Sequence, residues 1–226
     1  MKIIEKALKE GRTTLSEYES KQVLAFYQIP VTREILVKDV KDLNKATQEI
    51  GYPLVIKGCS SMISHKTEKD LIKIDIRNNN EAGSAFEEII TSMDSADKAV
   101  LVQELVKGKR ELVVGMTRDA QFGPCVMFGL GGIFTEILKD ISFRLAPMER
   151  RDAIEMMQEI KGHKILDAVR GMEAADLDIL ADMLINVGRI GVENDSVSEI
   201  DINPVVISGS KSVAVDALVV LNSLSG

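Results

Sequence analysis

The chain has 226 residues, enough for one large domain or two small ones, and its 45% hydrophobic and 28% charged content is that of a globular protein. A net charge of −7, 4% aromatic residues and no tryptophan exclude a nucleic-acid binder, which needs a basic face and stacking rings. Aliphatic side chains must therefore fill the core, and any positive charge that matters is local.

The first segment, "MKIIEKALKEGR", is charged and lacks the apolar core of a signal sequence, and no apolar run approaches membrane-spanning length. A cytoplasmic chain with no membrane partner is expected. "TTLSEYESKQVLAFYQIPV" opens with a helix: Ser16 and Glu19 have capping-box spacing, and Val23, Leu24 and Tyr27 form one apolar stripe. Pro30 ends it, and "VTREILV" is extended. "DLNKATQEIG" reads as a helix closed by Gly51, "YPLVIKG" as a short buried strand, and "DLIKIDI" as a half-buried strand. "NEAGSAFEEIITSM" is helical. The strands "KAVLVQELV" and "RELVVGMTRD" are joined by the short "KGK", which predicts an antiparallel hairpin.

"GPCVMFGLGG" is a strand running into a glycine-rich turn, and "TEILKDISFRLAPM" continues as sheet or loop. Helices are predicted over "ERRDAIEMMQEI" and "EAADLDILADMLINVGRIGVE". The chain closes with strand "VSEIDINPVVI", a Gly-Ser turn and strand "SVAVDALVVL". Helices and strands interleave, so the class is α/β or α+β. "SMDSADK" marks a domain boundary near residue 95, dividing 1–95 from 96–226. The two cysteines, Cys59 and Cys125, lack C-x-x-C spacing and read as buried reduced thiols.

Four places carry chemistry. "EIDINPVV" puts Asp201 and Asn203 on one side of a strand, and Asp216 follows beyond a short turn. Three oxygen ligands of this kind suit Mg²⁺, a hard cation that takes a few carboxylates plus phosphate oxygens. A strand-end cap before Pro204 fits Asp201 and Asn203 equally well. In "FGLGGIFTE", Gly129, Gly131 and Gly132 allow backbone N–H groups to approach a phosphate, or simply form a tight turn. No G-K-[ST] follows, so this is not a Walker motif. Arg144, in "SFRLAP", is a cation able to face the same anion, or a solvated arginine. In "LVQELVKGKRELVV" the backbone from Gln103 through Leu105 to Val106 can pair with an adenine edge, and Glu104 or Glu111 can accept from ribose hydroxyls. Lys57, after three aliphatic residues on a buried strand, should point at something anionic.

Lysine on a strand, a hinge strand ending in Q-E, a glycine turn, D-x-N and a final aspartate resemble, in that order, the ATP-grasp fold. That fold implies two subdomains with the nucleotide bound between them. The phrases "IGYPLVIK", "SHK", "GMTRDAQFGPCVMFGLGGIFTEILKDISFRLAP" and "EIDINPVV…AVDA" are similar to the β subunit of ADP-forming acetyl-CoA (acyl-CoA) synthetases, relatives of succinyl-CoA synthetase. The resemblance implies an acid-thiol ligase: acyl-CoA, ADP and phosphate give acid, CoA and ATP, reversibly and through phosphohistidine. It also implies a separate CoA-binding α subunit, in an α₂β₂ assembly. Lys57 and Lys66 then resemble phosphate-binding lysines, Glu104 and Glu111 nucleotide-contacting acids, and Asn203 and Asp216 Mg²⁺ ligands supported by Asp201. His65 falls on the family's "HK" histidine, which relays phosphate; an imidazole with a pKa near 6.5 is neutral and nucleophilic at pH 7. One feature departs from the family, whose "HKSD" runs into a "VGGV" glycine loop; here the place reads "HKTEKDLIKI". Ordinary residues in left-handed backbone cost roughly 1–2 kcal/mol each, and Lys69 is placed to compensate in part. That departure favours a rival reading, a non-catalytic nucleotide-binding subunit; a stand-alone ATP-grasp carboxylate ligase is the third.

Overall fold

The computed structural model describes residues 1–60, 71–94, 97–132, 140–169 and 171–222. The chain divides into two compact units: a larger one of Met1–Leu15, Glu19–Val31 and Lys107–Gly226, and a smaller one of Ser16–Tyr18 and Thr32–Val106.

The chain opens with α1 (Lys2–Lys9) and α2 (Glu17–Phe26). Helix α1 lies in the charged first segment, where no helix is expected from the sequence. Its Ile4 and Ala7, three positions apart on one face, are buried in the larger unit's core. Val23 and Leu24 of α2, with Tyr27 just past its end, enter the same core as the expected stripe. The Glu19 carboxylate takes two hydrogen bonds from Arg12, at 2.7 and 2.9 Å.

The smaller unit contains β1 (Glu34–Val37), α3 (Val40–Ile50), β2 (Leu54–Cys59), β3 (Ile72–Ile76), α4 (Asn79–Ser92) and β4 (Ala99–Glu104). Asp39 caps α3 by accepting from the Asp42 N–H at 2.8 Å, and Gly51, with φ +84°, closes it as expected. Asn78 caps α4 in the same way at 3.0 Å. Among the described residues the strands form one sheet of order β1-β4-β2-β3, antiparallel at every pairing. One face carries Leu54, Ile56, Val100 and Val102 against Leu43, Ala46, Phe86 and Ile89 of α3 and α4. Strand β3 does not alternate cleanly: a register shift opposite Leu54 and Val55, together with Asp75 at φ +63°, leaves Ile74 exposed.

The larger unit continues with β5 (Arg110–Asp119), β6 (Gly123–Leu130), β7 (Ile141–Leu145), α5 (Arg150–Glu159), a 3₁₀ turn (His163–Leu166), α6 (Leu177–Glu193), β8 (Val197–Ser208), β9 (Lys211–Ala214) and β10 (Leu218–Leu221). Its sheet runs β10-β8-β5-β6-β7, with β9 also paired to β8. Met156, Met157, Leu180, Leu184 and Val187 of α5 and α6 belong to one core with Leu112, Val114, Val126 and Phe128 of the sheet.

The structure alters three expectations. Strands β4 and β5 are not a hairpin. β4 pairs with β1 and β2 while β5 pairs with β6 and β8, so the "KGK" link carries the chain from one sheet to the other. For the same reason the units part after Val106 rather than after residue 95: β4 is a central strand, hydrogen-bonded on both sides within the smaller unit. The expected closing strand is split, β9 pairing with Val205–Ser208 of β8 and β10 with Val197–Asp201. Among the described residues no helix is long and apolar enough to cross a membrane.

Candidate functional site

In the smaller unit, all six residues of β2 are buried, as its aliphatic run foretold. Lys57, 4% exposed, lies opposite Leu101 of β4 and Ile72 of β3, on the face away from α3 and α4. Its anionic partner is Glu17, the first residue of α2: Nζ donates to Glu17 Oε1 at 2.8 Å. The two side chains are 5% and 1% exposed. A buried ammonium is tolerated only with such a partner. Sequence reasoning missed Glu17, because an acid in a first helical turn is ordinary; only packing onto β2 distinguishes it.

At the end of β4, Glu104 accepts from the Arg33 backbone N–H at 2.8 Å and from Arg33 Nε at 2.9 Å. The Leu105 N–H donates to the Pro53 carbonyl at 3.3 Å. Glu104 and Leu105 therefore have protein partners that a ribose or an adenine edge would compete with. Val106 follows, half-buried, as the last residue of the unit. His65, Lys66 and Lys69 lie outside the described residues, as does the non-glycine loop.

In the larger unit the structure brings Glu111 and the glycine turn together. The Gly131 N–H donates to the Glu111 carbonyl at 2.8 Å. A Cβ at Gly131 would lie 2.8 Å from Glu111 C and Leu112 N, so only glycine fits there. Gly132, at φ +63°, has Glu111 Oε2 2.7 Å from where a Cβ would stand. The carboxylate thus rests over the turn.

Arg144 is not part of that corner. It pairs in register with Val126 on β7 and forms a two-pronged ion pair with Glu159 of α5, at 2.9 and 2.5 Å. The Glu159 carboxylate beside it holds its pKa above the usual arginine value. To meet an anion it would have to leave Glu159.

The split of the closing strand builds the acidic edge. Because β9 and β10 pair with opposite ends of β8, the link between them passes alongside Ile202–Pro204, pinned by the Val215 N–H on the Pro204 carbonyl at 3.0 Å. Asp216 sits in that link, with its own Oδ1 accepting from the Ala217 N–H at 2.8 Å. Asp201 and Asn203 are two apart on β8, on either side of buried Ile202. Burial, then Glu199 and Asp216, push the Asp201 carboxyl above the usual carboxylate range. Carboxylates that repel one another suit a hard divalent cation. Among the described residues no three or more His, Cys, Asp or Glu side chains gather closely enough to hold a metal unaided.

The model of the ATP-grasp domain family matches residues 6–221. The β subunit of acetate–CoA ligase (ADP-forming) I from Pyrococcus furiosus is 43% identical over 224 residues, covering 97% of this chain and 96% of that one. Acetate–CoA ligase (ADP-forming) I from Archaeoglobus fulgidus is 39% identical over 97% of this chain, which spans 32% of that longer relative. Among solved structures, acetyl-coenzyme A synthetase 1 from Candidatus Korarchaeum cryptofilum matches with a TM-score of 0.86 and 40% identity, covering 98% of this chain and 99% of that chain. That structure is in complex with coenzyme A and Mg-AMPPCP, with its phosphohistidine segment pointing towards the nucleotide binding site. With both its fold and nearly its whole length accounted for, the chain belongs to the ATP-grasp family and is a homologue of the β subunits of ADP-forming acetate–CoA ligases.

Proposed function

We propose that this chain is the nucleotide-binding β subunit of an ADP-forming acyl-CoA synthetase, which with a CoA-binding α subunit converts acyl-CoA, ADP and phosphate to acid, CoA and ATP, and back. The observation that carries the reading is the acidic edge of Asp201, Asn203 and Asp216 in a chain similar to a β subunit over 97% of its length. Asp216 and Asn203 would hold Mg²⁺, with Asp201 in support, and the cation would neutralise phosphate charge. Glu111 and the Gly131–Gly132 turn offer a carboxylate for a ribose and a close backbone approach for a phosphate. Lys57 supplies a fixed ammonium once a phosphate competes with Glu17, joined by Lys66. Glu104, Leu105 and Val106 remain the proposed adenosine contacts, and Arg144 a phosphate contact on release from Glu159. His65 takes the phosphoryl group from an acyl phosphate made on the α subunit: a P–N bond to its imidazole forms as the acyl P–O bond breaks and the free acid leaves, and the P–N bond then breaks as an ADP oxygen bonds to phosphorus. The longer A. fulgidus relative supports a partner function carried by a second polypeptide. We propose an α₂β₂ assembly in the cytoplasm.

The test combines the chain with its α partner, acetyl-CoA, phosphate, ADP and MgCl₂ and follows ATP. Mg²⁺-dependent ATP formation is the expected result; none, with a competent α subunit present, refutes the proposal. The metal edge has its own readout. In Mg²⁺-free buffer Asp201→Asn is expected to raise the melting temperature by roughly 2–4 °C, the effect of about 1 kcal/mol in a chain of this size. The variant removes a desolvated charge facing two other carboxylates. Added Mg²⁺ should stabilise the unaltered protein more than the variant. An equal shift in both would remove Asp201 from the edge.

A further inference from the structure

Arg110 and Asp140 are buried charged residues, 3% and 8% exposed, and the proposed reaction uses neither. Arg110, the first residue of β5, donates to four backbone carbonyls: Ile165 at 3.1 Å, Asp167 at 3.2 Å, Glu173 at 2.6 Å and Gly209 at 3.1 Å. A guanidinium is a rigid fork of donors with no acceptor, and among the described residues it meets no carboxylate here. Asp140 works on the opposite end of the same turn, accepting from the Lys161 and Gly162 N–H groups, both at 2.7 Å. The 3₁₀ turn His163–Leu166 is thus held by a carboxylate at its N-terminal amides and a guanidinium at its C-terminal carbonyls, each sign matching the peptide dipoles.

The two clamps meet at the glycine corner. Arg110 is followed directly by Glu111; side chains alternate along β5, so Arg110 is anchored behind the sheet while the exposed Glu111 carboxylate lies over Gly132 in front. On the other side the Asp140 carbonyl accepts from the Leu130 N–H at 3.4 Å and lies 2.7 Å from where a Gly129 Cβ would stand. The path Gly132, Glu111, Arg110, 3₁₀ turn, Asp140, Leu130 closes on itself around the corner.

We propose that Arg110 and Asp140 are positioning residues of the nucleotide site, fixing the Glu111 carboxylate against the Gly131–Gly132 turn. The proposal rests on the nucleotide reading of that corner. Neither residue touches the nucleotide; they set the separation between the Glu111 carboxylate and the backbone of the Gly131–Gly132 turn. A shift of about 1 Å there is enough to spoil binding.

The test measures kcat and the KM for ADP of the complex with its α partner, together with the melting temperature. Arg110→Lys keeps the charge and loses the fork; Asp140→Asn keeps the shape and loses one of two acceptors. Each is expected to raise the ADP KM about tenfold with kcat within about threefold, because the groups displaced bind rather than react. Arg118→Lys is the control. Arg118 also lies on β5 and donates to three carbonyls, those of Gly191, Asn194 and Val197, at the far end of α6. It should lower the melting temperature comparably and leave the ADP KM within about twofold. An unchanged KM in Arg110→Lys and Asp140→Asn, or an equal rise in Arg118→Lys, overturns the proposal; if Arg110→Lys fails to fold, Asp140→Asn decides. Glu111→Gln separates the two levels. A raised KM there with an unchanged one in Arg110→Lys defeats positioning alone. An unchanged KM in Glu111→Gln defeats the nucleotide reading of the corner and the proposal with it.

Discussion

Replacing Glu17 with alanine is expected to cost about 3–5 kcal/mol of stability, the loss that follows when one partner of a buried ion pair is removed. The carboxylate and the Lys57 ammonium are 2.8 Å apart with side chains 1% and 5% exposed, so little water can replace the lost partner. An exposed pair such as Arg151–Glu155 should move stability by no more than about 1 kcal/mol. Double replacement, Glu17→Leu with Lys57→Met, should recover most of the loss, since a buried pair can be exchanged for apolar residues at little net cost. The double variant should still bind ADP poorly, because the phosphate-facing charge is gone. Urea unfolding of the four proteins measures the first effect, and nucleotide titration the second. A loss below about 1 kcal/mol in Glu17→Ala would mean that Lys57 relaxes to another acceptor, and that Glu17 does not set its position.

His65→Ala should lower ATP formation by the reconstituted complex by at least about three orders of magnitude, roughly 4 kcal/mol of barrier at 1.36 kcal/mol per tenfold. Alanine offers no nucleophile, and a relay without its carrier has no slower version of the same step. Intact-mass measurement should find acid-labile phosphate on the unaltered chain, discharged by ADP, and none on the variant. His65 lies outside the described residues, so the prediction rests on "SHK" and on the chemistry of a neutral imidazole near pH 7. A variant that turned over normally would make this chain a nucleotide-holding subunit and place the phosphate carrier elsewhere. The glycine-free continuation "HKTEKDLIKI" bears on affinity instead: it should raise the ADP or phosphate KM relative to chains with glycine there.

Local sequence determined the elements and much of the site's chemistry. The aliphatic run before Lys57 made a strand buried along its whole length, and Gly51 closed α3 at a positive φ because only glycine adopts that backbone without strain. Asp201 and Asn203 flank buried Ile202 on β8, an alternation that strand periodicity already puts in "DIN". The turn glycines were legible for a similar reason, since a strand running into G-L-G-G has few other uses. Pairings between distant segments were not legible. "KGK" looks like a hairpin loop, yet β4 and β5 pair in separate sheets, and nothing local records which partner strands compete. Asp216 reads as an acid inside a strand; it escapes burial because β9 and β10 pair with different ends of β8 and leave it in the gap. Glu17, Arg110 and Asp140 carry no local signal at all. Their roles arise from burial of charge, which forces each to find a partner 20 to more than 90 positions away along the chain, as with Lys57 for Glu17 and Gly209 for Arg110.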